Sequence, residues 1–122
     1  MNIRFLESVA FVYAGVAVIC AAVGAHLLKD QWHDADASRQ FATATRILFW
    51  HSIGIWICCS AKPVMLFQGV MMAISTAVFC GAVYSLALGG ASFWGAVAPV
   101  GGFGMIASWL HMAVSRYRLK SC

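Results

Sequence analysis

Three side chains stand out in an otherwise apolar sequence as able to do chemistry: Arg46, His51 and His26. An ionisable group inside a membrane-length helix is a functional candidate by default, since it is unfavourable there without a partner. Arg46 lies about five residues into its apolar run, roughly 7–8 Å deep at 1.5 Å per residue. Two expectations compete for it: a side chain that snorkels to the interface, or one with a binding or coupling role. His51 is about ten residues into the same run, near its middle, where it could relay protons. His26 closes the first run, and His111 lies near the end of the last. A metal or haem held in common would need ligands at one depth, and these three histidines are separated by steps of roughly 10 Å. No metal and no cofactor is expected, and each histidine is expected to be hydrogen-bonded within the fold.

The remaining chemistry-bearing residues point away from catalysis. Cys20, Cys58, Cys59, Cys80 and Cys122 form no CxxC pair and no zinc spacing. Four of them sit in apolar runs, where a thiol acts as a small hydrophobe, and Cys58 and Cys59 diverge on a helix and make a poor disulfide. The acids are Glu7, Asp30, Asp34 and Asp36, one near the start and three in one loop, so no buried acid–base pair can form. There is no phosphate loop, no Gly-x-Ser-x-Gly elbow and no HExxH. No catalytic residue is assigned, no enzyme activity is expected, and no small-molecule substrate is indicated.

These residues must be positioned by membrane helices. Of 122 residues, 62% are apolar and 10% charged, with a formal net charge of +4. Soluble domains are roughly 45–50% apolar and about a quarter charged. Apolar runs at about residues 8–28, 41–61, 64–88 and 93–115 each match the roughly 20 residues a spanning helix needs. The first is longer than the roughly 7–15 residues of a signal-peptide core, so it is expected to be a retained helix. Lys29–Gln40 reads as a polar loop with room for a short helical turn, Lys62-Pro63 breaks the pattern, and Gly89–Ser92 forms a turn. The expected fold is a single all-α membrane domain, a four-helix transmembrane bundle with short loops. Arg4, Lys62, Arg116, Arg118 and Lys120 fall on one side, against Lys29, Arg39 and the shallow Arg46 on the other. That bias puts both termini in the cytoplasm. The basic tail suits anionic headgroups and is too short for nucleic acid.

Packing can also be anticipated. Ala73, Ala77, Gly81, Ser85 and Gly89 recur every fourth residue, and Ala17, Ala21 and Ala25 repeat the pattern in the first run. Small residues at this spacing let helices approach closely. Internal packing is the first expectation and docking of a second copy or another subunit the second. Trp32, Trp94 and Trp109 fit an interfacial aromatic belt, while Trp50 and Trp56 are expected to pack against neighbouring helices. The outer half of the last run holds Gly95, Pro99, Gly101 and Gly102, which suggests irregular backbone there. Such backbone survives at depth only when covered. Arg46 is therefore expected to face the bundle interior, bridging carbonyls near Pro99–Gly102 beside the His26 end of the first helix.

Short motifs carry a resemblance. Gly24-Ala25-His26 with Lys29, Phe41-x-x-Ala44-x-Arg46-x-x-x-Trp50-His51, Gly81-x-x-Tyr84-x-Leu86-Ala87-Leu88 and Ala98-Pro99-Val100-Gly101-Gly102 follow in that order. The chain resembles the small bacterial inner-membrane family typified by YgdD and YwdK, a domain of unknown function with small transmembrane relatives in eukaryotes. It departs from the family pattern at Ala21 and Leu27, where glycines are usual, and at Ile47. The resemblance implies a four-helix protein of the bacterial inner membrane and no activity, cofactor or substrate. The leading expectation is an accessory or assembly-type subunit whose partners are lipid, other membrane subunits or a second copy. The alternative is a small oligomeric transporter or channel-like protein with a polar path past His26, Arg46 and His51.

Overall fold

Two short polar side chains fix where the first helices begin. Asn2 is extended, and its Oδ1 accepts the Arg4 N–H at 3.0 Å, which starts α1 at Ile3. Helix α1 (Ile3–Ala22) thus takes in Arg4 and Glu7, ahead of the expected start at Ser8. It continues into a π-helical turn, Val23–Leu27. Asp34 Oδ1 accepts the Ala37 N–H at 2.7 Å and starts α2 (Ala35–Ser60). Lys29–Gln40 is therefore loop only as far as Asp34, and helix beyond it. Helix α3 covers Leu66–Ala87 and α4 Trp94–Lys120. This computed structural model describes residues 1–121, so the expectation for Cys122 lies outside the described residues. No strand occurs among them, and the all-α fold is as expected.

The expected irregular segment at Pro99–Gly102 is not found, because α4 is helical through all of it. Pro99 sits in the second turn, where its missing N–H leaves only the carbonyl of Gly95 without a helical donor. Glycines weaken a helix by roughly 0.5–1 kcal/mol each, and here tertiary contact offsets that. A Cβ on Gly101 would lie 2.5 Å from the Phe79 backbone N and 2.7 Å from the Ser75 carbonyl oxygen. Gly104 faces the Ser75 side chain in the same way. The close approach of helix backbones is thus between α4 and α3, at Gly101 and Gly104.

The expected stripe does not make that contact. Ala73 is buried, but Ala77 and Gly81 face outward, and a Cβ on Gly81 would meet nothing within 4 Å. Residues four apart on a helix turn by about 40° per step, so a row that starts inside at Ala73 is already turned outward at Ala77 and further so at Gly81. Ser85 bonds back to the Gly81 carbonyl of its own helix, and Gly89 ends α3 with φ +84°. In α1, Ala17 is buried while Ala21 and Ala25 are exposed.

The helices run up, down, up and down. Cys59 of α2 lies beside the Ile3 carbonyl, and Gly24 at the other end of α1 meets Phe41. Tyr13 of α1 donates to the Ala73 carbonyl of α3 at 2.9 Å, and Leu6 covers Gly69, so α1 and α3 are parallel neighbours. Helix α4 lies along α3 and reaches α2 only through side chains. Arg116 ties the chain terminus to the α2–α3 turn by donating to the Lys62 carbonyl at 3.0 Å. At this terminal end the core is large: Leu6, Ile55, Cys58, Met72 and Met112. At the opposite, loop end it is small: Ala44, Ala82, Val83 and Ala98. The four described cysteines are free thiols.

Three stretches are long and apolar enough to cross a membrane: Ile3–Leu27, Leu66–Ala87 and Trp94–Lys120, with mean hydropathies of 2.2, 1.8 and 1.4. Helix α2 is less apolar because it carries Thr45, Arg46, His51 and Ser52. Of these Thr45, His51 and Ser52 are buried, and the outward face beyond Arg46 is Phe49, Trp50, Ile53, Trp56 and Ile57.

Candidate functional site

Helix α2 bears both ionisable candidates and turns them in different directions. Five residues along a helix is about 140° around its axis. His51 faces α4 and is 7% exposed. Its Nδ1 lies 2.8 Å from the Ile47 carbonyl one turn back, and its Nε2 lies 3.1 Å from Trp109 Nε1. A carbonyl only accepts and an indole N–H only donates. The proton is therefore on Nδ1, which donates to Ile47, and Nε2 accepts from Trp109. Both ring nitrogens of a neutral imidazole are in use. A proton relay through His51 would first have to break the Trp109 bond.

Gly54, one turn below His51, makes room for that indole. A Cβ on Gly54 would lie 2.9 Å from Trp109 Cζ2 and 2.6 Å from Met72 Sδ. Trp109, 39% exposed, thus also serves as an interhelical partner, where only an interfacial belt position was expected. The reverse correction holds for Trp50 and Trp56, which face outward at 64% and 44% exposure. Both corrections follow from Gly54 and His51 sharing one face of α2 at i and i+3. That pairing was visible in the sequence.

Other interior polar groups are likewise bonded to one another. Thr45 donates its hydroxyl proton to the Phe41 carbonyl at 2.9 Å, so Tyr84 is the donor in the 2.8 Å bond between Tyr84 and Thr45. Gln68 donates to the Ser115 hydroxyl at 3.1 Å. Thr76, fully buried, is the one buried side-chain polar group without a partner among the described residues.

Arg46 faces away from this interior. It is exposed and lines a groove of about 370 Å³ between α1 and α2, with Ala21, Gly24, Phe41, Ala42 and Thr45. A second stretch of about 300 Å³ continues past Arg46 along Ala17, Val18 and Phe49. The expected contact with Pro99–Gly102 is therefore not made. Gly101 is buried against α3, Pro99 is exposed, and no α4 residue lines either stretch. Proximity to the end of α1 is real, but it is to Gly24 and Ala25, since His26 does not line the groove. His26 and His111 are exposed, and neither makes a side-chain hydrogen bond among the described residues. His111 has only an edge contact with Phe67, at 5.6 Å between centroids. The three candidates His26, Arg46 and His51 do not share a cavity. Among the described residues no group of three His, Cys, Asp or Glu could hold a metal ion.

The four sequence motifs meet at the loop end. Gly24 lies over Phe41, whose ring packs at a tilt against Tyr84 and Trp32, with centroids 4.9 and 5.1 Å away, and Ala44 packs with Ala98. Long apolar helices, polar groups turned onto one another and short connections fit an integral membrane protein of the small all-α class. The family model for "Protein of unknown function (DUF423)" matches residues 20–102. The UPF0382 inner membrane protein YgdD of Escherichia coli K12 is 30% identical, over 98% of this chain and 95% of that protein. The proteins of the same name from Escherichia coli O157:H7 and Shigella flexneri give the same figures. The chain belongs to this family. No solved structure matches it.

Proposed function

We propose that this protein crosses the bacterial inner membrane four times, with both termini in the cytoplasm, and serves as an accessory or assembly subunit for other membrane proteins. Topology supports the crossing of α2. Helices α1 and α3 are parallel neighbours, joined through the Tyr13–Ala73 bond. If both span, the chain must return across the membrane between them. Of the polar residues that lower the hydropathy of α2, Thr45, His51 and Ser52 are turned inward, while Arg46 lies on the outer groove. Arg4, Lys62 and the basic tail gather at the terminal end, which supports a cytoplasmic assignment for that end.

One observation supports the accessory reading best: the buried polar side chains, Thr76 excepted, have their hydrogen-bond partners within the protein. What the chain offers to other molecules is its outside. Helix α4 has one helix along it, α3, and turns Val100, Phe103, Ile106 and Leu110 outward. A transport path past His26, Arg46 and His51 has no continuous cavity to support it. Mild extraction from the native membrane, followed by native mass measurement and crosslinking, tests the reading. The expected result is a stoichiometric complex with another membrane protein or a second copy. A strictly monomeric particle without crosslinked partners contradicts it.

A further inference from the structure

Arg46 is a cation without an anion. No side-chain hydrogen bond or ion pair among the described residues involves it. The acids are engaged or distant: Asp34 caps α2, Asp36 pairs with Arg39, Glu7 is on the opposite end of α1, and Asp30 does not line the groove. The depth of Arg46 is set by its neighbour Ala21, about 9 Å of helix below Leu27. In α2, which runs inward from the loop, side chains tilt back toward the helix start. That tilt favours a guanidinium reaching toward the loop end, where Ala42 and Ser38 line the same groove one and two turns earlier. Below it the wall is apolar: Ala17, Val18, Ala21 and Phe49.

A cation over an apolar furrow has the layout of a lipid, charge above and hydrocarbon below. We infer that the α1–α2 groove binds one membrane glycerophospholipid, its phosphate on Arg46 and an acyl chain along Ala17, Ala21 and Phe49. A planar guanidinium suits two phosphate oxygens at once. A second copy of this chain is a poorer occupant. All four of its carboxylates lie in the first helical turns or the Asp30–Asp36 segment, so its lipid-facing surface brings no counter-charge. The inference rests on the membrane-spanning reading above.

The test uses the full chain in mild detergent and native mass measurement. The probes are dioleoyl phosphatidylglycerol and dioleoylglycerol, which share acyl chains and differ in the phosphate. Resistance of the wild type to alkaline extraction from membranes is established first, so that failure of the membrane reading is distinguished from failure of the lipid site. The wild type should retain one phosphatidylglycerol and prefer it to dioleoylglycerol about tenfold or more, the scale of a charged hydrogen bond. Freed of bound lipid, Arg46→Gln should melt like the wild type; it should lose the preference, while Arg39→Gln keeps it. Ala21→Phe, which fills the furrow and spares the charge, should reduce binding of both probes. Equal binding of the two probes by the wild type overturns the inference, as does an undiminished preference in Arg46→Gln. If Arg46→Gln does not fold, undiminished binding in Ala21→Phe overturns it. A dimer that excludes lipid and is lost in Arg46→Gln overturns it in favour of a second copy.

Discussion

The two faces of α2 solve the same problem, a polar residue at membrane depth, in opposite ways. Toward α3 and α4, each hydrogen-bonding group of Thr45 and His51 has a protein partner, and glycine at position 54 opens the space for one of them, Trp109. Toward α1, the helix pair leaves a furrow and Arg46 has no protein partner at all. An unmet group in the interior is unfavourable because nothing else can reach it, whereas a group on the furrow can be met by lipid or water. One face is therefore closed and carries stability. The other is open and is where an outside molecule can bind.

Breaking the closed side where backbones touch should have the largest effect. Gly101→Val places side-chain atoms where the Phe79 N and the Ser75 carbonyl already stand. Neither is a flexible group that can move aside, so about 3 kcal/mol or more should be lost. Thermal unfolding in detergent measures this. Trp109→Phe comes next, since it keeps the packing but leaves His51 Nε2 without its donor. The expected loss is about 1–3 kcal/mol. A cycle with His51→Phe should return a coupling of at least about 0.5 kcal/mol, as for residues in one hydrogen-bonded pair.

Two substitutions should sharpen the comparison by going the other way. Thr76 is the one buried hydroxyl without a partner, so Thr76→Val, similar in shape, should stabilise by up to about 1 kcal/mol. Gly81 faces open space in a regular helix, so Gly81→Ala should raise stability by roughly 0.5–1 kcal/mol. A loss there would mean that the outward half of the Ala73–Gly89 row is packed after all. Both are read from the same melting experiment.

Much of this was legible before any coordinates. Apolar runs of membrane length gave four helices, because the period and the length of such runs leave few other structures open to them. Boundaries were less legible, as Asn2 and Asp34 start α1 and α2 by capping, and a cap is a single residue that a hydropathy pattern ignores. The Ala73–Gly89 row misled because a four-residue repeat drifts around a 3.6-residue helix. Pro99–Gly102 misled because glycine and proline lower local propensity, and contact with Ser75 and Phe79 overrides it. For Arg46 the depth was readable and the direction was not, since the direction depends on which helix lies beside α2 at that level. The His51–Trp109 pair joins residues 58 positions apart, and spacing along one helix cannot reveal it.

The contrast between the closed and open faces is tested most directly by melting Arg46→Ala and His51→Ala side by side with the wild type in one detergent. His51→Ala should lower the midpoint by about 5 °C or more, since it leaves an indole N–H and a cavity inside the bundle. With bound lipid first removed from both proteins, Arg46→Ala should melt within the range of an ordinary surface substitution, a change of about 0.5 kcal/mol or less. Equal losses for the two, or a larger loss for Arg46→Ala, would contradict the account, because Arg46 would then be holding the helices together.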